Sequence, residues 1–291
     1  MLTACGGDSE SSSAGCEVSS PSKFRVIQET SNDIFDDHTY KSTYIFKYNE
    51  NNLLKKSELY SPVTNTEDLG SPISNTVYEY YPNGYLKQTK TSDSKPKSVL
   101  TSKTIYKNDK LDSITTTRDN PDQYGWNHSS LIKILAWHGC IPSTIKSEHY
   151  SKKGKSSNTS TEIYSKYFDS ENRVIRTDSV YKAGVNLEPT HTIMDIYYSQ
   201  EKFSFSDVNM GTQGKRIQTM LGTINPSYKK LIITNLASKE NDTLNYKTLL
   251  HKDEQGVITS VTIKVIRKSS NGESFIRKLT TNYEYEYLKG N

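Results

Sequence analysis

Six histidines stand in this chain: His38, His128, His138, His149, His191 and His251. None falls at a spacing that holds a metal or activates a nucleophile. His128 and His138 are ten residues apart, too far round a helix for an i, i+4 ligand pair. Asp36-Asp37-His38 puts two carboxylates beside an imidazole. It reads better as a polar turn before a strand than as a cation site. There is no Gly-x-Ser-x-Gly elbow and no Gly-rich phosphate loop. With 33 Asp and Glu residues, spacing alone singles out no acid–base pair, because such pairs converge only in space. The sequence therefore predicts no catalytic residue, no metal site and no cofactor. Tyr124 and Trp126, beside Pro121 and Gly125, are the candidate ligand-binding residues. Aromatic faces in a loop stack on flat sugar rings. The competing role of Trp126 is to anchor the segment that follows it.

The thiol of Cys5 is the most informative reactive group. Leu2-Thr3-Ala4-Cys5 matches a lipobox, in which small residues fit a signal peptidase and the Cys takes a diacylglycerol. A signal peptide also needs a basic start and an apolar stretch ahead of the box, and residues 1–4 do not supply them. Residues 6–20 are rich in Gly, Ser and acid and poor in apolar side chains, the composition of a flexible tether. Asp8 and Glu10 loosely match acidic export signals of surface lipoproteins. Cys16 and Cys140 either pair in an oxidising compartment or stay free. No Cys/His spacing suggests zinc.

Composition narrows the class. The chain is 33% hydrophobic, yet 21 tyrosines add large half-polar bodies. Such a chain folds if strands bury one face and wet the other. A net charge of +4, with basic and acidic residues interspersed, excludes the electrostatic footprint of a nucleic-acid binder. No run approaches the roughly 18 apolar residues of a membrane helix. A lipid-embedded barrel needs an apolar outer face. Glu79 shares a face with Val77, and Glu284 and Glu286 make one face of 283–287 acidic.

The elements that position these groups are hairpins. An aromatic residue leads into an Asn, Asp or Gly turn, and an aliphatic residue follows. Instances are 48–54, 80–86, 106–111 and 168–174; 252–258 lacks the aromatic. Asn and Gly accept the positive φ of tight turns, and the arms are rich in Thr, Val, Ile and Tyr. One segment differs. In 126–139, Leu131, Ile134, Leu135 and His138 fall at helical spacing, with Asn127 or Ser129 as a cap and Gly139 and Pro142 as a stop. The spacing predicts a helix over 128–138 that plugs or covers the core of the sheet, and a weaker helical or irregular stretch over 214–222. The expected fold class is all-β: a large antiparallel meander, strongly curved or closed into a soluble barrel, with one short central helix. Residues 1–22 are the lipobox and tether, and 23–291 a single β domain.

The lipobox, the Tyr-rich hairpins and the order Leu131–Gly139, then Ile141-Pro142-Ser143-Thr144-Ile145, together resemble a family of Bacteroidota envelope lipoproteins of uncharacterised function. That family has hairpins reminiscent of YD repeats and a porin-like β fold. Here Asn variants mostly replace the Tyr-Asp-x-x-Gly core. The resemblance implies an outer-membrane address and an architecture, and no activity. The leading expectation is a non-enzymatic lipoprotein of the cell envelope, facing the periplasm or the surface. It would act as a binding or scaffold module, with the membrane as partner through its lipid, no nucleic acid, and an unknown glycan or protein ligand. The alternatives are a glycan-binding accessory protein for nutrient capture and a hydrolase whose site forms only in three dimensions.

Overall fold

The computed structural model describes residues 24–35, 38–61, 70–94, 97–120, 125–139, 141–171, 173–184, 187–199, 228–270, 272 and 274–288. Cys5, Cys16, Cys140, Tyr124 and the 214–222 stretch lie outside these.

Sixteen strands make one antiparallel wall. They are β1 (Phe24–Phe35), β2 (His38–Tyr48), β3 (Leu54–Tyr60), β4 (Ser74–Tyr80), β5 (Leu86–Ser94), β6 (Lys97–Lys107), β7 (Lys110–Arg118), β8 (Asn127–His138), β9 (Ile141–Lys153), β10 (Ser156–Phe168), β11 (Val174–Ala183), β12 (Thr190–Tyr198), β13 (Tyr228–Asn235), β14 (Asn241–Lys252), β15 (Ile258–Ser269) and β16 (Ser274–Tyr287). Each pairs with its sequence neighbours, and β1 pairs with β16 to close a barrel. Closure removes the exposed strand edge on which a second chain could template.

Residues 127–138 are not the predicted helix. They form β8, paired to both β7 and β9. Ile132, Ile134 and Trp137 all pack on one inner cluster. The step from 134 to 137 is three residues because the register shifts on either side of Ala136. A bulge inserts a residue into a period of two, and the sum imitates helical spacing. Leu135 is 54% exposed, so it covers nothing. Ladder partners on both sides and β-branched side chains outweigh the local helical signal.

The β2–β3, β4–β5, β6–β7, β10–β11 and β14–β15 turns, all rich in Asn, Asp or Gly, lie at one end of the barrel. Four of them share one pattern over 49–53, 81–85, 169–173 and 253–257. In each, the first residue's N–H donates to the carbonyl of the fifth. A register shift sits beside each turn. The β6–β7 connection is shorter, with Asn108 and Asp109 both at positive φ, as a two-residue turn with right-handed strand twist demands.

Candidate functional site: the inner wall and its turn-end rim

Strand register sorts every side chain to one of two faces. On β6, Thr104 and Tyr106 stand opposite Ile114 and Leu111. Thr104, Leu111 and Ile114 are buried, whereas the alternate residue Ile105 is 49% exposed. Side chains crowd together on the concave side of a closed wall and splay apart on the convex side. The first set therefore faces inward and Ile105 outward.

The inner wall has two zones. Near the turn end, Leu54, Leu86, Leu111 and Ile114 form a collar with Phe46, Tyr48, Tyr78, Tyr80 and Tyr106 packed on it. A second cluster holds Ile258, Val261, Ile263 and Val265. The tyrosines have a defined polar role. The hydroxyl of Tyr48 donates to the Val26 carbonyl at 2.6 Å, Tyr80 to Leu54 at 2.8 Å, Tyr106 to Leu86 at 2.9 Å and Tyr198 to Val174 at 2.8 Å. Tyr285 donates to Ile258 in the same way. Each acceptor sits where a bulge breaks the ladder, so the phenol satisfies a carbonyl that the ladder has dropped. Burial raises the phenols of Tyr48, Tyr80, Tyr106 and Tyr198, with Tyr106 pushed up to about 12. They are neutral hydrogen-bonding groups, not charges.

Towards the other end the inner wall turns polar. Arg277 holds Asp33 through two guanidinium nitrogens, the Nε contact at 2.9 Å, and Arg267 pairs with Asp242. Hydroxyls meet across the ladder at Ser31–Thr281, Thr76–Thr91 and Ser102–Thr116. Desolvation by the wall raises the Glu29 carboxyl and lowers the Lys166 ammonium. Among the described residues, no group of three or more His, Cys, Asp and Glu gathers in one place. The arrangement can offer hydroxyls and ring faces to a ligand.

Of the sequence candidates, only Trp126 falls among the described residues. It is half-buried immediately ahead of β8, after Gly125 at φ +80°, at the end opposite the β4–β5 and β6–β7 turns.

Sequence reasoning missed a groove of about 580 Å³ at the turn-end rim, between the β4–β5 and β6–β7 turns. Tyr81, Tyr85, Ile105 and Tyr106 line it, with Asn83, Asn108 and Asp109 around them. The Tyr85 and Tyr106 rings lie 4.9 Å apart, and Tyr81 meets Tyr106 edge-on at 6.0 Å. One signal was available. In the three sister turns the first residue is Asn49, Asp169 or Asp253, and its side-chain oxygen accepts the N–H four residues on. Tyr81 takes that place here, and Asn83 supplies the acceptor to the Tyr85 N–H instead, at 3.2 Å. The fifth residue is Leu53, Arg173 or Val257 elsewhere and Tyr85 here. The turn closes without these aromatics in its sisters, so closure does not account for them.

No protein-family model matches the chain, and no curated protein matches it. Among solved structures it is similar to a porin-like protein from Bacteroides uniformis, at 14% identity over 90% of this chain and 98% of that one, with a TM-score of 0.49. It is also similar to OprB of Pseudomonas putida in its low-pH structure. The identity there is 6% over 90% of this chain and 92% of that one, with a TM-score of 0.36.

Proposed function

We propose that this chain is a non-catalytic binding or scaffold module of the bacterial cell envelope, held to the outer membrane by an acylated Cys5 while its barrel stands in water. The polarity of the outer wall carries the reading. Lys133, Lys247, Lys264 and Lys278 are exposed on the outer face well inside their strands. A lysine on the lipid face of a barrel costs about 2–4 kcal/mol at the bilayer midplane. Four of them outweigh what scattered aliphatic neighbours return. A barrel with this exterior does not hold itself in a bilayer, so a membrane address needs a separate anchor, and Cys5 is the group with that chemistry. The test is metabolic labelling with a radioactive fatty acid in a Gram-negative host. Wild type takes up label and sediments with membranes, whereas Cys5→Ala does neither. Equal labelling of the two removes the anchor.

The rim groove favours a second reading, a glycan-binding accessory role. Its tyrosine faces, ringed by Asn and Asp side chains, suit the apolar face and hydroxyls of a sugar ring. Tyr85→Leu installs the residue that a sister turn carries, so the turn still closes. On a glycan array the wild-type signal falls about tenfold or more in this variant. No wild-type signal above background defeats the reading.

A further inference from the structure

The outer wall is not uniformly mixed in charge. Lys247 of β14 stands directly opposite Lys264 of β15, and Lys264 opposite Lys278 of β16. Three ammonium-bearing side chains thus lie side by side across three strands, about 5 Å apart at their bases. All three are exposed. Among the described residues no carboxylate pairs with any of them, although ten other lysine or arginine ion pairs are formed elsewhere on the barrel. Like charges directly opposite one another destabilise a sheet. A single Glu at position 264 would turn that repulsion into two attractions. The fold gains nothing from the row, so its use lies in what it meets.

The flanks of the row name the occupant. Leu249, one step towards the turn end, is 56% exposed, and Ile276, one step the other way, is 53% exposed. Ile34, beside Lys278 on β1, is 37% exposed. Cations interleaved with protruding aliphatic side chains form a shallow amphipathic face. Phosphate headgroups neutralise the ammoniums, and the aliphatic tips enter the boundary between headgroups and acyl chains. A soluble polyanion would use the lysines and leave Leu249 and Ile276 in water.

We propose that the outer face of β14–β16 lies against an anionic phospholipid surface, with Lys247, Lys264 and Lys278 as its headgroup contacts. This rests on the envelope address proposed above but not on the acyl chain, and a weak peripheral contact complements one lipid anchor. The full chain carrying Cys5→Ala isolates the face from the anchor. Its sedimentation is measured with phosphatidylcholine vesicles and with equimolar phosphatidylcholine–phosphatidylglycerol vesicles. It binds the anionic vesicles and is released by high salt. Changing Lys247, Lys264 and Lys278 together to Gln weakens binding about 100-fold, because each lysine near such a surface contributes about fivefold. Leu249→Ser weakens it with no change in net charge. Removing equal charge from another part of the outer wall, as Lys90→Gln, Lys103→Gln and Lys133→Gln, leaves binding within about threefold. The row variant is also at least as heat-stable as its parent, since the repulsion is gone. Equal losses in the two triple variants overturn the proposal, as does an absence of binding to anionic vesicles. Retention by a soluble polyanion such as heparin, unaffected by Leu249→Ser and without vesicle binding, overturns the lipid assignment. None of these outcomes bears on whether Cys5 is acylated.

Discussion

Leu111 and Ile105 belong to the same hairpin and differ by one turn of the pleat, yet they live in different solvents. Leu111 is 1% exposed among the tyrosines of the collar, and Ile105 is 49% exposed on the outer wall. The contrast extends round the barrel. On the inner wall charges are drawn into pairs such as Arg277–Asp33 and Arg267–Asp242, and dropped carbonyls receive phenol donors. On the outer wall the lysine row of β14–β16 stands unpaired, and aliphatic tips protrude singly. Stability is concentrated inside, where packing and desolvation make each group expensive to remove. The outside is left free to vary, and what is retained there against its own electrostatics calls for a partner.

The largest effect that would break this contrast is a core truncation. Leu111→Ala leaves a cavity among Leu86, Ile114 and Tyr106. It lowers unfolding free energy by about 2–5 kcal/mol, measured by urea denaturation. Ile105→Ala, on the opposite face, changes it by less than about 0.5 kcal/mol. Comparable losses would mean that the two walls are not packed differently.

A sharper probe is the tyrosine ring of the collar. Tyr80→Phe keeps the packing and removes one proton donor. It leaves the carbonyl of Leu54, a residue only 1% exposed, without its 2.8 Å partner. The cost is about 1–3 kcal/mol, the desolvation penalty of an unmade buried bond. Tyr85→Phe at the rim, where no hydroxyl bond supports the turn, leaves stability unchanged within error. A loss at Tyr80 no greater than at Tyr85 would reduce the phenols to apolar bodies.

The sequence made the wall legible and its closure illegible. Alternation along Tyr283-Glu284-Tyr285-Glu286-Tyr287 was enough to sort inner from outer, and Asn83-Gly84 and Asn108-Asp109 marked corners through their φ tolerance. The helix expected over 128–138 was a bulge read as a period. Bulges depend on partner strands, which a single segment does not show. The seam joins Phe24–Phe35 to a strand some 250 residues away, and no local pattern encodes a contact at that separation. The site followed the same division. Tyr81 and Tyr85 were visible as aromatics in a turn, but their oddity emerged only beside the hydrogen bonds of the sister turns. Lys247, Lys264 and Lys278 are 17 and 14 residues apart in the chain, and only the register of β14, β15 and β16 sets them in a row.

The smallest expected effect tests whether charge on the outer wall stabilises where it is paired. Glu58 faces outward and is only 7% exposed, covered by two lysine stems rather than by the bulk of the barrel. Lys47 reaches it at 2.8 Å and Lys56 at 2.6 Å. Hydrogen bonds from Lys47 and then Lys56 hold its carboxyl down to about 2, against an ordinary 4.5. A depressed carboxyl contributes stability above its unfolded value and loses it as pH falls through the folded one. Glu58→Gln should therefore destabilise the barrel by about 1 kcal/mol or less at neutral pH, since both lysines remain partly solvated. The gap to wild type stays constant above about pH 5, narrows between 4.5 and 2, and closes below. Parallel denaturation midpoints across that window read it directly. A gap that persists unchanged at pH 2 would show that the glutamate acts by packing alone, leaving the outer wall with no electrostatic contribution to stability here.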